Sequence, residues 1–145
     1  MKNEVQKIYH LIENEISQMD PTKYHNNDAK TLLAEGDWIE NLIQLSNFSL
    51  NALEISRIKA EFIGLGPIEH LLLDTEITEI LILHEKDIWF EKNGSLLKHS
   101  DSFLGHLSFQ NFVKKISHLI GQQYSLKTPY VNGRFENCRV HLIGP

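Results

Sequence analysis

The spacing of hydrophobic positions changes character once along this chain. Val5, Ile8, Leu11, Ile12, Ile16 and Met19 recur every three or four residues, which predicts an amphipathic helix ending before Asp20-Pro21. Tyr24 to Asn27 is polar and reads as a loop, after which Asp28 can cap a short helix carrying Leu32 and Leu33. Gly36-Asp37 breaks and restarts the pattern, with Trp38, Ile39, Leu42 and Ile43 on one face. Ser49 can cap a further helix in which Leu50, Leu53, Ile58 and Phe62 point inward. Helices this short are unstable singly, so residues 1–62 are expected to form a helical bundle.

Gly64-Leu65-Gly66-Pro67 marks the change. Both glycines can adopt positive φ, and Pro67 is preset for the first turn of a short helix with Glu69 near its positive end. That helix gives out around Asp74, and the period then shortens. Ile80 to Leu83 is nearly continuous aliphatic, as for an inner strand covered on both faces, and Asp87 to Glu91 alternates as a second strand. Asn93-Gly94 tolerates the two positive φ values of a type I′ turn, so Ser95 to Lys98 should return antiparallel. Phe109, Phe112, Val113, Ile116, Leu119 and Ile120 form a helical stripe closed by Gly121. Tyr130–Phe135 and Cys138–Ile143 alternate again, around a turn at Glu136-Asn137 where glutamate suits positive φ poorly. The expected fold is α+β, with the helical bundle of 1–62 followed over 63–145 by a small mixed or antiparallel sheet with a helix packed on it.

Composition narrows the class. A hydrophobic fraction of 41% with 23% charged residues suits a globular chain. Apolar runs fall far short of a membrane span and Met1-Lys2-Asn3-Glu4 does not open a secretory signal. The lone Cys138 excludes an internal disulfide. A cytoplasmic location is expected. The net charge of −5 is unevenly spread. Residues 1–63 hold six Lys and Arg against ten Asp and Glu, whereas residues 101–145 hold five against two. The acidic balance argues against a dedicated nucleic-acid binder but leaves room for a local anion site near the C-terminus.

Most catalytic constellations are missing. There is no Gly-x-x-x-x-Gly-Lys-Ser/Thr loop and no Gly-x-Gly-x-x-Gly after a strand. The eight histidines are scattered. Cys138 and His141 would point to opposite faces of one strand, so they read as ordinary strand residues rather than metal ligands. Glu13 and Glu15 read as solvated carboxylates, and Cys138, with no activating base, as a packed residue. One feature resists a bland explanation. A turn at Glu136-Asn137 sets Arg134 directly opposite Arg139, and like charges facing across a sheet are destabilising. Either an anion sits between these forked donors, phosphate being well matched, or both extend into water or are offset by a carboxylate such as Glu136.

The order of these features is similar to a known family. Gly64-Leu-Gly-Pro-Ile-Glu-His-Leu-Leu-Leu-Asp-Thr-Glu-Ile-Thr-Glu-Ile resembles the "G-x-G-P-[LI]-E-x-L-L-x-D-x-x-[VI]-T-E-I" opening of the N-terminal domain of type II/IV secretion ATPases, most nearly the CpaF-type ATPases of Tad/Flp pilus assembly. The hairpin from Ile88 to Leu96, the run from Gly121 to Phe135, and Arg139-Val140 match further motifs in order, so the resemblance covers residues 64–145. It implies a non-catalytic region that precedes a RecA-like ATPase domain in a hexameric ring, peripheral to the inner membrane and docked on a secretion or pilus platform protein. In that family such domains lend arginines to the phosphates of ATP held with Mg by the ATPase domain; by position Arg139 is the better match and Arg134 the second. No cofactor is expected on this chain, and no ATP hydrolysis by it alone. Gln122 and Gln123 stand where the family has arginines, and Asn132 where it has aspartate. The chain ends at Gly144-Pro145, near where the ATPase domain would begin, and the expectation is a segment of a longer motor. The competing expectation is a stand-alone PAS-like adaptor or sensory module.

Overall fold

The structure, a computed structural model, describes residues 3–18 and 37–144. Met19, the loop at Tyr24 to Asn27, the Asp28 cap with Leu32 and Leu33, and Gly36 lie outside the described residues. The chain separates into two compact units, Met1–Gly66 and Pro67–Pro145. The architecture is α+β: N-terminal helices, then a five-stranded mixed sheet with a helix packed on it. No helix among the described residues is long and apolar enough to cross a membrane.

In the first unit, α1 (Asn3–Gln18) packs on α2 (Asp37–Leu45) and α3 (Ala52–Ile63). Val5, Ile8 and Ile12 are buried at the predicted helical spacing, beside Ile39, Ile43 and Ile58. Tyr9 joins them, its ring stacked on Phe62 at 5.4 Å between centroids. Ser49 is not the cap of α3. Asn51 is, because its Oδ1 accepts from the Glu54 N–H while Glu54 Oε2 accepts from the Asn51 N–H, both at 2.9 Å. This reciprocal box satisfies two otherwise orphaned donors. Starting the helix there turns Leu53 outward, at 83% exposure, against the inward position expected of it. Lys59 bonds Glu40 and ties α3 to α2.

At the end of the first unit only Gly66 takes the positive φ expected of both joint glycines, at 60°; Gly64 closes α3 at −114°. Gly66–Ile68 forms one 3₁₀ turn and leads into α4 (Glu69–Leu73), capped at Asp74. Two contacts fasten this stretch to the sheet. Lys92 Nζ donates to Asp74 Oδ2 at 2.7 Å, which holds the Asp74 carboxyl below its ordinary value, and the His99 ring lies 2.7 Å from the Pro67 carbonyl.

The strands β1 (Ile77–His84), β2 (Asp87–Lys92), β3 (Ser95–Lys98), β4 (Tyr130–Phe135) and β5 (Cys138–Ile143) lie in the order β3-β2-β1-β5-β4. Only β1 and β5 are parallel. A parallel pair needs a crossover, and α5 (His106–Ile120) lies on that path. One face carries Ile80, Ile82, Ile88, Val131, Cys138, Val140 and Leu142, all buried. Phe109, Phe112, Val113 and Ile116 of α5 are buried as well, with Phe103 wedged 5.0 Å from Phe109 and 4.8 Å from Phe112. Leu119, on the predicted stripe, is 49% exposed. Ile120 sits against Gly133, where a Cβ would fall inside contact distance of its Cγ2.

The expectation that β1 is covered on both faces does not hold. Its burial alternates, and Leu83 is 42% exposed. The helix supply explains this: α5 alone cannot cover both faces of a five-stranded sheet, so the second face of this unit carries polar side chains among its apolar ones.

Both hairpins have the predicted two-residue turns. Asn93 and Gly94 have φ of 51° and 79°, as type I′ requires. In the second, Glu136 is at 53° while Asn137 stays negative, so the turn is not type I′. An L-residue with a Cβ is strained in that region by roughly 1–2 kcal/mol. Glu136→Gly is therefore expected to stabilise the sheet unit by about 0.5–1 kcal/mol, after allowance for the extra freedom of glycine in the unfolded chain. A urea midpoint that does not rise would show the backbone there to be unstrained.

Candidate functional site

The open face of the sheet is ordered in rows, because residues paired across neighbouring strands share a face. One row runs Leu96, Glu91, Glu79, Arg139, Arg134 from edge to edge. The next runs Lys98, Trp89, Leu81, His141, Asn132. The first row therefore sets two carboxylates beside two guanidiniums, and the facing of Arg134 and Arg139 read from the sequence is the register observed.

Hydrogen bonding brings these two arginines close. Gln122 uses its side-chain amide in both directions on β4: the Asn132 N–H donates to Gln122 Oε1 at 3.0 Å, and Gln122 Nε2 donates to the Asn132 carbonyl. Asn132 thus turns its backbone to the free edge, and alternation gives Arg134 the same orientation. Arg134 and Arg139 consequently form a non-hydrogen-bonded pair, the closer of the two antiparallel spacings, about 4.5 Å between Cα atoms. The two-residue turn fixes the same parity from the other end, through Phe135 and Cys138.

Neither arginine is neutralised. Both are exposed, and among the described residues neither makes an ion pair or a side-chain hydrogen bond. Glu136, one of the offsets considered from the sequence, has no ion pair among the described residues either. Glu79 is the nearer carboxylate in register with Arg139, yet its Oε1 lies 2.5 Å from His141 Nε2 instead. Side chains here are solvated, so two like charges coexist at modest cost, and what they present is a forked set of donors open to solvent.

Other candidates resolve differently. Cys138 is buried on the opposite face from His141, and burial, helped by the Glu79 charge, pushes its thiol up, which makes it a poor nucleophile. Among the described residues no group of three His, Cys, Asp or Glu could hold a metal ion. Glu13 accepts from the Tyr9 hydroxyl at 3.3 Å and lies 3.3 Å from His10, a local helix network rather than an acid/base pair. Sequence reasoning missed Glu79 and Glu91 and weighed His141 only as a metal ligand; all three join the arginines only through the parallel β1–β5 pairing and the β1–β2 register. It also passed over the clamp by Gln122, although that residue had been marked as a departure from the arginines of the similar family. No protein-family model matches this chain, and no curated protein matches it.

Proposed function

We propose that this chain is the non-catalytic N-terminal region of a hexameric secretion or pilus-assembly ATPase, and that Arg139, with Arg134 second, contacts the phosphates of a nucleotide held by a RecA-like ATPase domain of the same or a neighbouring subunit. One observation carries the proposal: two uncompensated arginines on the nearer antiparallel spacing, on an open sheet face. The ordered motifs over residues 64–145 supply the context. Guanidiniums suit the task because they keep their charge and match phosphate oxygens with paired donors. In this reading the helices at the N-terminus serve partner docking, the sheet unit helps assemble the ring, and the ring works on the cytoplasmic side of the inner membrane against a platform protein. ATP and Mg belong to the ATPase domain, and this chain supplies charge from outside.

Sodium pyrophosphate serves as probe. Its addition to the 145-residue chain is expected to shift the Arg134 and Arg139 side-chain Nε–Hε resonances, with an apparent Kd in the millimolar range for a site built from one side only. Arg139→Ala should weaken that binding about tenfold, the loss of a charge-assisted hydrogen bond of about 1.5 kcal/mol. Resonances that stay still to saturating pyrophosphate would remove the basis of the proposal.

A further inference from the structure

The row of charges raises a question of its own. Glu79 stands between Glu91 on β2 and Arg139 on β5, so repulsion on one side and attraction on the other both favour a swing toward Arg139. It does not make that contact. Its carboxylate reaches diagonally to His141, two residues along β5 on the same face, at 2.5 Å. His141 and Glu79 are each about a third exposed at the side chain, at 29% and 31%, so the pair is accessible and neither partner is locked by packing.

We propose that Glu79 is an internal competitor for the Arg139 guanidinium and that His141, as a positioning residue, holds it aside, so that the Glu79–His141 contact sets how strongly the Arg134–Arg139 pair takes a phosphate. This rests on the reading of those arginines as a phosphate contact. With His141 engaged, Arg139 keeps its donors for an incoming anion. With His141 removed, Glu79 is free to pair with Arg139 in register, and an anion has to displace a carboxylate that is always present at high effective concentration. The carboxylate also matches the guanidinium fork as a phosphate does, which makes the competition one of like chemistry.

The test is a double-mutant cycle read by pyrophosphate binding to the whole chain, with Arg134 and Arg139 Nε–Hε shifts as the signal. His141→Ala is expected to weaken binding about threefold to fivefold, within the range of exposed charge pairs. Glu79→Gln is expected to tighten it by a similar factor. The decisive variant is His141→Ala combined with Glu79→Gln: once the competitor is uncharged, losing His141 should leave affinity at the level of Glu79→Gln alone. Equal weakening by His141→Ala in both backgrounds would show that His141 acts on the anion directly and would overturn the inference while leaving the arginine site standing. No effect of His141→Ala in either background would overturn it too. No response of either arginine in the unaltered chain would remove the phosphate reading and this inference with it. Conservative His141→Gln, which keeps a donor for Glu79, should restore most of the affinity lost in His141→Ala.

Discussion

Gly133→Val is expected to destabilise the sheet unit by about 2 kcal/mol, although valine is a better strand residue than glycine. Intrinsic strand preference favours the change by at most ~1 kcal/mol. Against it stands Ile120, whose Cγ2 occupies the space a Cβ would need. This Cγ2 is a methyl on the branched Cβ of isoleucine, which has little rotamer freedom in a helix, so it cannot step aside as the tip of a long side chain would. Overpacking of this kind costs about 1–3 kcal/mol, and valine adds two methyl groups beyond the first clash. The measurement needs a signal confined to this unit. The chain has two tryptophans, Trp38 in α2 and Trp89 in β2. In a Trp38→Phe background the fluorescence of Trp89 reports the sheet alone, and the urea midpoint should fall with little change in slope. A midpoint that holds would mean that α5 shifts freely over β4.

What could be read from the sequence follows a physical divide between local and distant contacts. The Asn93-Gly94 turn, the Gly121 cap with φ 79°, and the Arg134–Arg139 facing all depend on a few consecutive residues, and all three were legible. Asn51-x-x-Glu54 is legible too, since a capping box has a sequence signature, but Ser49 precedes the same hydrophobic run and competes for the role by residue type alone. Tyr9 was overlooked because the stripe was traced through aliphatic residues, whereas an aromatic with a polar tip fills a core position equally well. The burial of β1 was misread for a stronger reason. An unbroken aliphatic run does not say how many faces are covered; that depends on how many helices the sheet has to share, and α5 lies over one face.

The site divides along the same line. A hairpin pair is set by its turn, so both arginines could be placed without knowing the sheet. Glu79 and His141 meet through a parallel pairing between strands distant in sequence, and no local pattern encodes which strand lies next to which. The consequence is functional as well as topological. The arginines by themselves suggest a constitutively positive patch, whereas the full row, with Glu91 and Glu79 beside them, is balanced in charge, and it is on this balance that the proposed competition by Glu79 rests.

In the helical unit the largest single effect is expected at Arg57, in the middle of α3. Arg57 Nη1 lies 2.7 Å from Glu61 Oε2, and the Glu61 side chain has no exposed surface while Arg57 retains 15%. The spacing of four residues brings the two onto one helix face, but burial, not helix geometry, sets the scale. On an exposed helix such a pair is worth ~0.5 kcal/mol. Once the carboxylate is withdrawn from water, removing its charged partner costs about 3–5 kcal/mol, because a buried charge loses its counter-ion. Arg57→Met keeps much of the aliphatic stem and removes the charge, and is expected to lower the stability of the helical unit by about 3 kcal/mol, measured by urea unfolding with Trp38 as the only tryptophan. Combining it with Glu61→Leu separates charge from packing. If the loss comes from the missing counter-ion, the double variant should recover more than half of it, since paired buried ions exchanged for apolar side chains of similar size are often neutral in stability. If the double variant is as unstable as Arg57→Met, or less stable, then the arginine acts through its packed stem and its other contacts, and the ion pair is incidental to the fold of α3.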